Sequence, residues 1–217
     1  MPITRTNEII LKTQILKTTD NLIRSFVLVK KSLETHDVQD LSKIFDLDNL
    51  IKIRTISSLN TIIVNYQMAP LGKDLRRNIS YTFINKYLRD IAQRSINIST
   101  FLIDAEKAGF KVDFLLPMIN LTILGLKKTR KVLELEDEKL SKKLVDFDYR
   151  INEEYRELVK IDFVTKKIPH KKIKPEVVDS LKIGYIITSK HFEDIGDKMK
   201  DIARCSLYIS TGALFNT

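Results

Sequence analysis

The stretch LKIGYIITSKHFEDIGDKMKDIARCSLYI, residues 181–209, decides the fold. At 100° per residue, Phe192, Ile195, Met199 and Ile202 fall on one side of a helix. Lys190, Glu193, Asp197 and Asp201 fall on the other. That periodicity holds along most of the segment, so it reads as one long amphipathic helix.

Outward from it, Gly and Pro are scarce, 6 and 5 in 217 residues, and cluster where such helices would stop. Pro70 stands with Gly72, Gly109 and Pro117 bracket the middle, Pro169 and Pro175 flank IPHKKIKP (168–175), and Gly212 lies near the end. The intervals predict six helices, roughly 7–34, 38–68, 72–105, 113–136, 138–165 and 176–211. At 1.5 Å per residue each would span about 40–50 Å.

The chain also repeats itself. LETHD (33–37) returns as LELED (133–137), and DLD (46–48) returns as DFD (146–148). LRDIAQRSINIS (88–99) then aligns with FEDIGDKMKDIA (192–203). Three matches in order at a nearly constant offset predict two copies of one unit, residues 1–108 and 109–217. With short connections, each copy is an up-down-up three-helix bundle. The expected fold is therefore all-α, an elongated six-helix arrangement of two tandem bundles.

Composition narrows the classes. The apolar share of 43% is too high for disorder, and a lone Cys205 rules out a disulfide framework. Charges interrupt every apolar run before the roughly 20 residues of a membrane span. The start, MPITRTNEIILKTQILKTTD, has no signal-peptide core, and the expectation is a cytoplasmic chain. With 37 Lys+Arg against 28 Asp+Glu the net charge is +9, which favours anionic partners. Basic residues gather at Lys127, Lys128, Arg130 and Lys131, with Lys142 and Lys143 further on, and at His170, Lys171, Lys172 and Lys174. Asp74, in KDLRR (73–77), falls in the first turn of the third helix, where a carboxylate complements the helix dipole.

No phosphate-binding glycine loop, nucleophile elbow or H-E-x-x-H motif is present. The three histidines have no ligand spacing, and Cys205 on a helix reads as packing. No enzyme and no organic cofactor are expected. Glu193, Asp197 and Asp201, four apart, form a stripe of like charges on the side facing solvent, which calls for a compensating cation. That cation is either a hard metal ion or the neighbouring Lys190, Lys200 and Arg204.

The sequence resembles the phosphate-uptake regulator family PhoU in two segments. In 68–98 the matching positions are Pro70, Asp74, Leu75, Arg76, Leu88, Ile91, Asn97 and Ile98. In 191–212 they are Glu193, Ile195, Gly196, Asp197, Ile202, Ala203, Tyr208 and Gly212. DYRINEEYREL (148–158) resembles the family's second-repeat middle helix. The resemblance implies a metal site for iron, zinc or another divalent ion at Glu193, Asp197, Asp148, Asn152 and Asp201. In the first copy Arg89, Gln93 and Lys52 stand where oxygens would be needed, so that half is expected to be empty.

The resemblance further implies a regulator that damps a phosphate-specific ABC transporter and, where present, its sensor kinase. It implies a homodimer and peripheral contact at the cytoplasmic membrane face, with no sequence-specific binding to nucleic acid. Two alternatives are a helical nucleic-acid-binding regulator, which the charge favours equally, and a chaperone of another phosphate carrier.

Overall fold

The computed structural model describes residues 3–68, 72–160 and 175–213. Six long helices account for nearly all of them: α1 (Ile3–Thr35), α2 (Ser42–Met68), α3 (Gly72–Lys107), α4 (Leu116–Leu135), α5 (Glu138–Val159) and α6 (Pro175–Thr211). Short 3-10 turns, Gln39–Leu41 and Asp113–Leu115, lead into α2 and α4. No strand occurs among the described residues. The six helices expected from periodicity are all present. The IPHKKIKP segment up to Lys174, Pro70 and the expected end of the fifth helix at 165 lie outside the described residues.

The helix ends follow local chemistry. The Asp137 side chain accepts a hydrogen bond from the Leu140 amide at 2.8 Å and caps α5. Pro117 sits at the start of α4, where its missing N–H costs nothing. Asp74 lies in the first turn of α3 as its spacing predicts. His36 and Glu136, at the equivalent places in LETHD and LELED, both take left-handed backbone, with φ of 52° and 49°. Each ends a helix with a residue other than glycine, an uncommon choice that the two halves share.

Packing divides the helices into a centre and two flanks. Within the first half α1, α2 and α3 pack together, and within the second α4, α5 and α6 do. Across the halves α1 packs on α4 and α3 on α6. The inner four helices therefore close a central bundle, while α2 lies against α1 and α3, and α5 against α4 and α6. One apolar core runs through both halves, with Phe26, Ile84, Leu88, Leu126, Phe192 and Ile202 fully buried. The Phe26 and Phe192 rings, one from each half, lie 6.3 Å apart.

Candidate functional site

The expected acidic site lies where α5 meets α6. Phe192, Ile195, Met199 and Ile202 are buried as the periodicity requires. The carboxylate stripe behaves differently from the expectation of a solvent face, because α6 has neighbours on three sides. The Glu193 and Asp201 side chains are only 18% and 27% exposed. Asp148 on α5 is buried at 7% exposure, turned toward α6. The approach depends on Gly196, where a Cβ would come within 2.9 Å of the Ile151 Cγ2 methyl and 3.2 Å of Asp148 Oδ1.

Cationic side chains occupy the carboxylates. Lys200 Nζ lies 2.7 Å from Asp148 Oδ2 and 2.5 Å from Asp197 Oδ1, bridging the two helices. Asn152 donates to the same Asp148 Oδ2 at 3.1 Å. Glu193 pairs with Lys190, and Asp201 with Arg204 at 3.4 Å and Lys198 at 3.9 Å. Burial alone would lower the Lys200 pKa, but the hydrogen bonds and charges of Asp148 and Asp197 raise it. Lys200 therefore stays charged at neutral pH. Asp148 Oδ1 is buried with no hydrogen-bond partner.

Of the five expected site residues, the fold brings Asp148 and Asp197 to one ammonium, sets Asn152 against Asp148, and pairs Glu193 and Asp201 elsewhere. Among the described residues no group of three or more His, Cys, Asp or Glu side chains converges as a metal site. As the side chains stand, the implied divalent ion does not fit between Asp148 and Asp197, because Asp148 Oδ2 and Asp197 Oδ1 accept from the Lys200 ammonium.

The first half carries a related arrangement. Asp48 on α2, buried at 5% exposure, receives Arg89 Nη1 of α3 on one oxygen and Lys52 Nζ at 2.9 Å on the other. Gln93 lies beside Arg89, its Oε1 3.5 Å from Nη2.

The basic residues of α4 do not act as one free patch. Arg130 is held by Asp20 at 2.6 Å and Glu134 at 2.8 Å. Lys128 lies 5.5 Å from the centre of the Phe147 ring, within cation–π range. Lys142 pairs with Glu138 at 2.6 Å, while Lys127, Lys131 and Lys143 are exposed. Cys205 is buried, and burial pushes its thiol up to about 12, which leaves it unreactive at neutral pH.

Two features escaped the reading of the sequence. Glu136 joins the halves, with Arg77 Nη2 at 3.1 Å, the Tyr81 hydroxyl at 2.7 Å and Lys12 Nζ at 3.4 Å. The other is the outer face of α2, where Ile53, Ile56 and Ile63 are 65%, 62% and 56% exposed. Residues 55–68, TISSLNTIIVNYQM, contain no charge. The equivalent flank α5 presents Lys142, Lys143, Arg150, Arg156 and Glu157 instead. The charge-free run was the available signal.

Comparison with known proteins finds a family likeness in the second half. Residues 115–206 match the PhoU domain. The matched segment takes in α4, α5 and most of α6, including every residue of the acidic site. The whole fold resembles two solved PhoU structures. One is the phosphate transport system regulatory protein PhoU from Streptococcus pneumoniae, with TM-score 0.78 and 18% identity over 95% of this chain and 96% of that one. The other is PhoU from Pseudomonas aeruginosa, with TM-score 0.72 and 16% identity over 97% and 96%. No curated protein sequence matches the chain significantly. Among the described residues, no helix is long and apolar enough to cross a membrane.

Proposed function

We propose that the protein is a non-enzymatic regulator of phosphate uptake that acts through its surface on the cytoplasmic components of a phosphate-specific ABC transporter and, where present, on its sensor kinase. The PhoU domain at 115–206 carries this reading. The site chemistry is compatible with it: the acidic-site carboxylates are held in ion pairs and the one thiol is buried. The uncharged outer face of α2 is the surface best suited to a transporter subunit, because an exposed apolar strip with a polar rim favours burial against a partner. Among the described residues Arg130 and Lys142 are tied into ion pairs and the other basic residues of this group are split between α4 and α5, which argues against a nucleic-acid reading that needs them gathered on one element.

The experiment is a pull-down of the transporter ATPase and sensor-kinase subunits by the purified chain, run beside a DNA-competition assay. Recovery of either subunit, lost on the paired substitution Ile56→Glu and Ile63→Glu, is the expected result. Failure to recover any subunit, together with tight DNA binding that random DNA does not displace, overturns it.

A further inference from the structure

The flanking helices of the two halves each hold one buried carboxylate facing the third helix of their own half: Asp48 on α2 and Asp148 on α5. A carboxylate in such a place needs a positive charge beside it. In the second half the charge is the Lys200 ammonium, held between Asp148 Oδ2 at 2.7 Å and Asp197 Oδ1 at 2.5 Å. In the first half it is the Arg89 guanidinium, with Lys52 Nζ at 2.9 Å.

The sources of charge are not sequence equivalents. In the repeat alignment Arg89 corresponds to Glu193, and Lys52 to Asn152. Lys200 instead lies seven residues beyond Glu193 on the same helix. Each half has reached the same electrostatic result with different residues. A divalent ion between Asp148 and Asp197 would need oxygens at about 2.0–2.6 Å, in the space that the Lys200 nitrogen fills. The remaining carboxylates of the stripe are committed to Lys190, Arg204 and Lys198.

We propose that this chain carries its cations covalently: Lys200 in the second half, and Arg89 with Lys52 in the first, stand where a bound metal ion would, and the folded protein is metal-independent. A tethered ammonium is present whenever the chain is folded, so the state of the site does not follow the supply of metal. This departs from the ion-filled site that the family resemblance implies, and it holds whether or not the partner is a phosphate transporter.

The test is metal content by elemental analysis, together with thermal melting in EDTA and in added Mn²⁺ or Zn²⁺. Wild type is expected to hold far less than one ion per chain and to melt at the same temperature in all three conditions. A stoichiometric ion, or a fall of several degrees in EDTA, overturns the proposal. Lys200→Ala leaves Asp148 and Asp197 facing each other without their cation. It is expected to melt lower than wild type and to recover several degrees when Mn²⁺ or Zn²⁺ is added. Lys200→Gln, which keeps the stem and removes the charge, is read in the same way if Lys200→Ala does not fold. A variant that folds and shows no response to either ion overturns the placing of Lys200 at the cation position.

Discussion

The Tyr81 hydroxyl donates a hydrogen bond to Glu136 Oε1 at 2.7 Å, joining α3 of the first half to the α4–α5 turn of the second. The other Glu136 oxygen takes Arg77 Nη2 at 3.1 Å, and Arg77 Nη1 reaches Glu8 on α1 at 2.6 Å. Lys12 adds a third cationic or donor partner at 3.4 Å. A turn residue with φ of 49° is thereby anchored by side chains from two helices of the opposite half.

Tyr81→Phe removes one donor from a carboxylate that is only 14% exposed. The expected loss is about 1.5 kcal/mol, the lower range for a hydrogen bond to a charged group. In a chain of this length that is a fall in melting temperature of roughly 3–6 °C. Melting unchanged from wild type would show that the hydroxyl is not bonded to Glu136.

The same anchor gives an acid limb to stability. Burial raises the Glu136 pKa, but the Tyr81 hydrogen bond and the charges of Arg77 and Lys12 outweigh it, and the carboxyl titrates below its ordinary value. A depressed folded-state pKa means stability that is present above the unfolded pKa, about 4.3, and is lost as pH falls through the folded one. Urea unfolding across acid pH is expected to show this loss, and Glu136→Gln is expected to be weaker at neutral pH with a shallower acid limb. An acid limb as steep in the variant as in wild type would place the titration elsewhere.

Gly196→Ala tests the close approach of α5 to α6. Alanine favours a helix interior by about 1 kcal/mol, but overpacking a core costs about 1–3 kcal/mol. The crowded neighbour is the β-branched Ile151, fully buried and with little room to turn. The balance is expected to be a net loss near 1 kcal/mol in denaturant unfolding. A more stable variant would mean that α5 shifts away freely.

Cys205 is expected to resist a thiol reagent in the native protein near pH 8 and to react fully once the chain is unfolded. Its burial and its raised pKa act in the same direction. Complete native labelling within the mixing time would contradict the placement of this side chain.

Ile53→Glu and Ile56→Glu change residues whose side chains are largely in solvent. Stability is expected to stay within about 0.5 kcal/mol of wild type, as for ordinary surface substitutions. A loss several times larger in calorimetry would show that another surface covers this face of α2.

The helices were readable because their periodicity and stops agreed: the expected 72–105 corresponds to Gly72–Lys107, and 176–211 to Pro175–Thr211. The stripe of Glu193, Asp197 and Asp201 was readable too, along with Lys200 as a neutralising neighbour. Its partial burial was not, since periodicity within α6 says nothing about how many helices surround it. Glu136 appeared only as a letter in a repeat, because its partners Lys12, Arg77 and Tyr81 are distant in sequence. The outer face of α2 stayed hidden for a different reason. Apolar residues occur around most of that helix, so the pattern alone does not say which of them are covered.

The Glu136 anchor also bears on the order in which the molecule is made. A ribosome releases α1 and α3, with Lys12, Arg77 and Tyr81, before it releases the turn that needs them. The first half can thus be waiting as a template when Glu136 emerges. A polar clasp aligned with the direction of synthesis favours docking of the late hairpin onto its own early helices over capture by those of a neighbouring nascent chain.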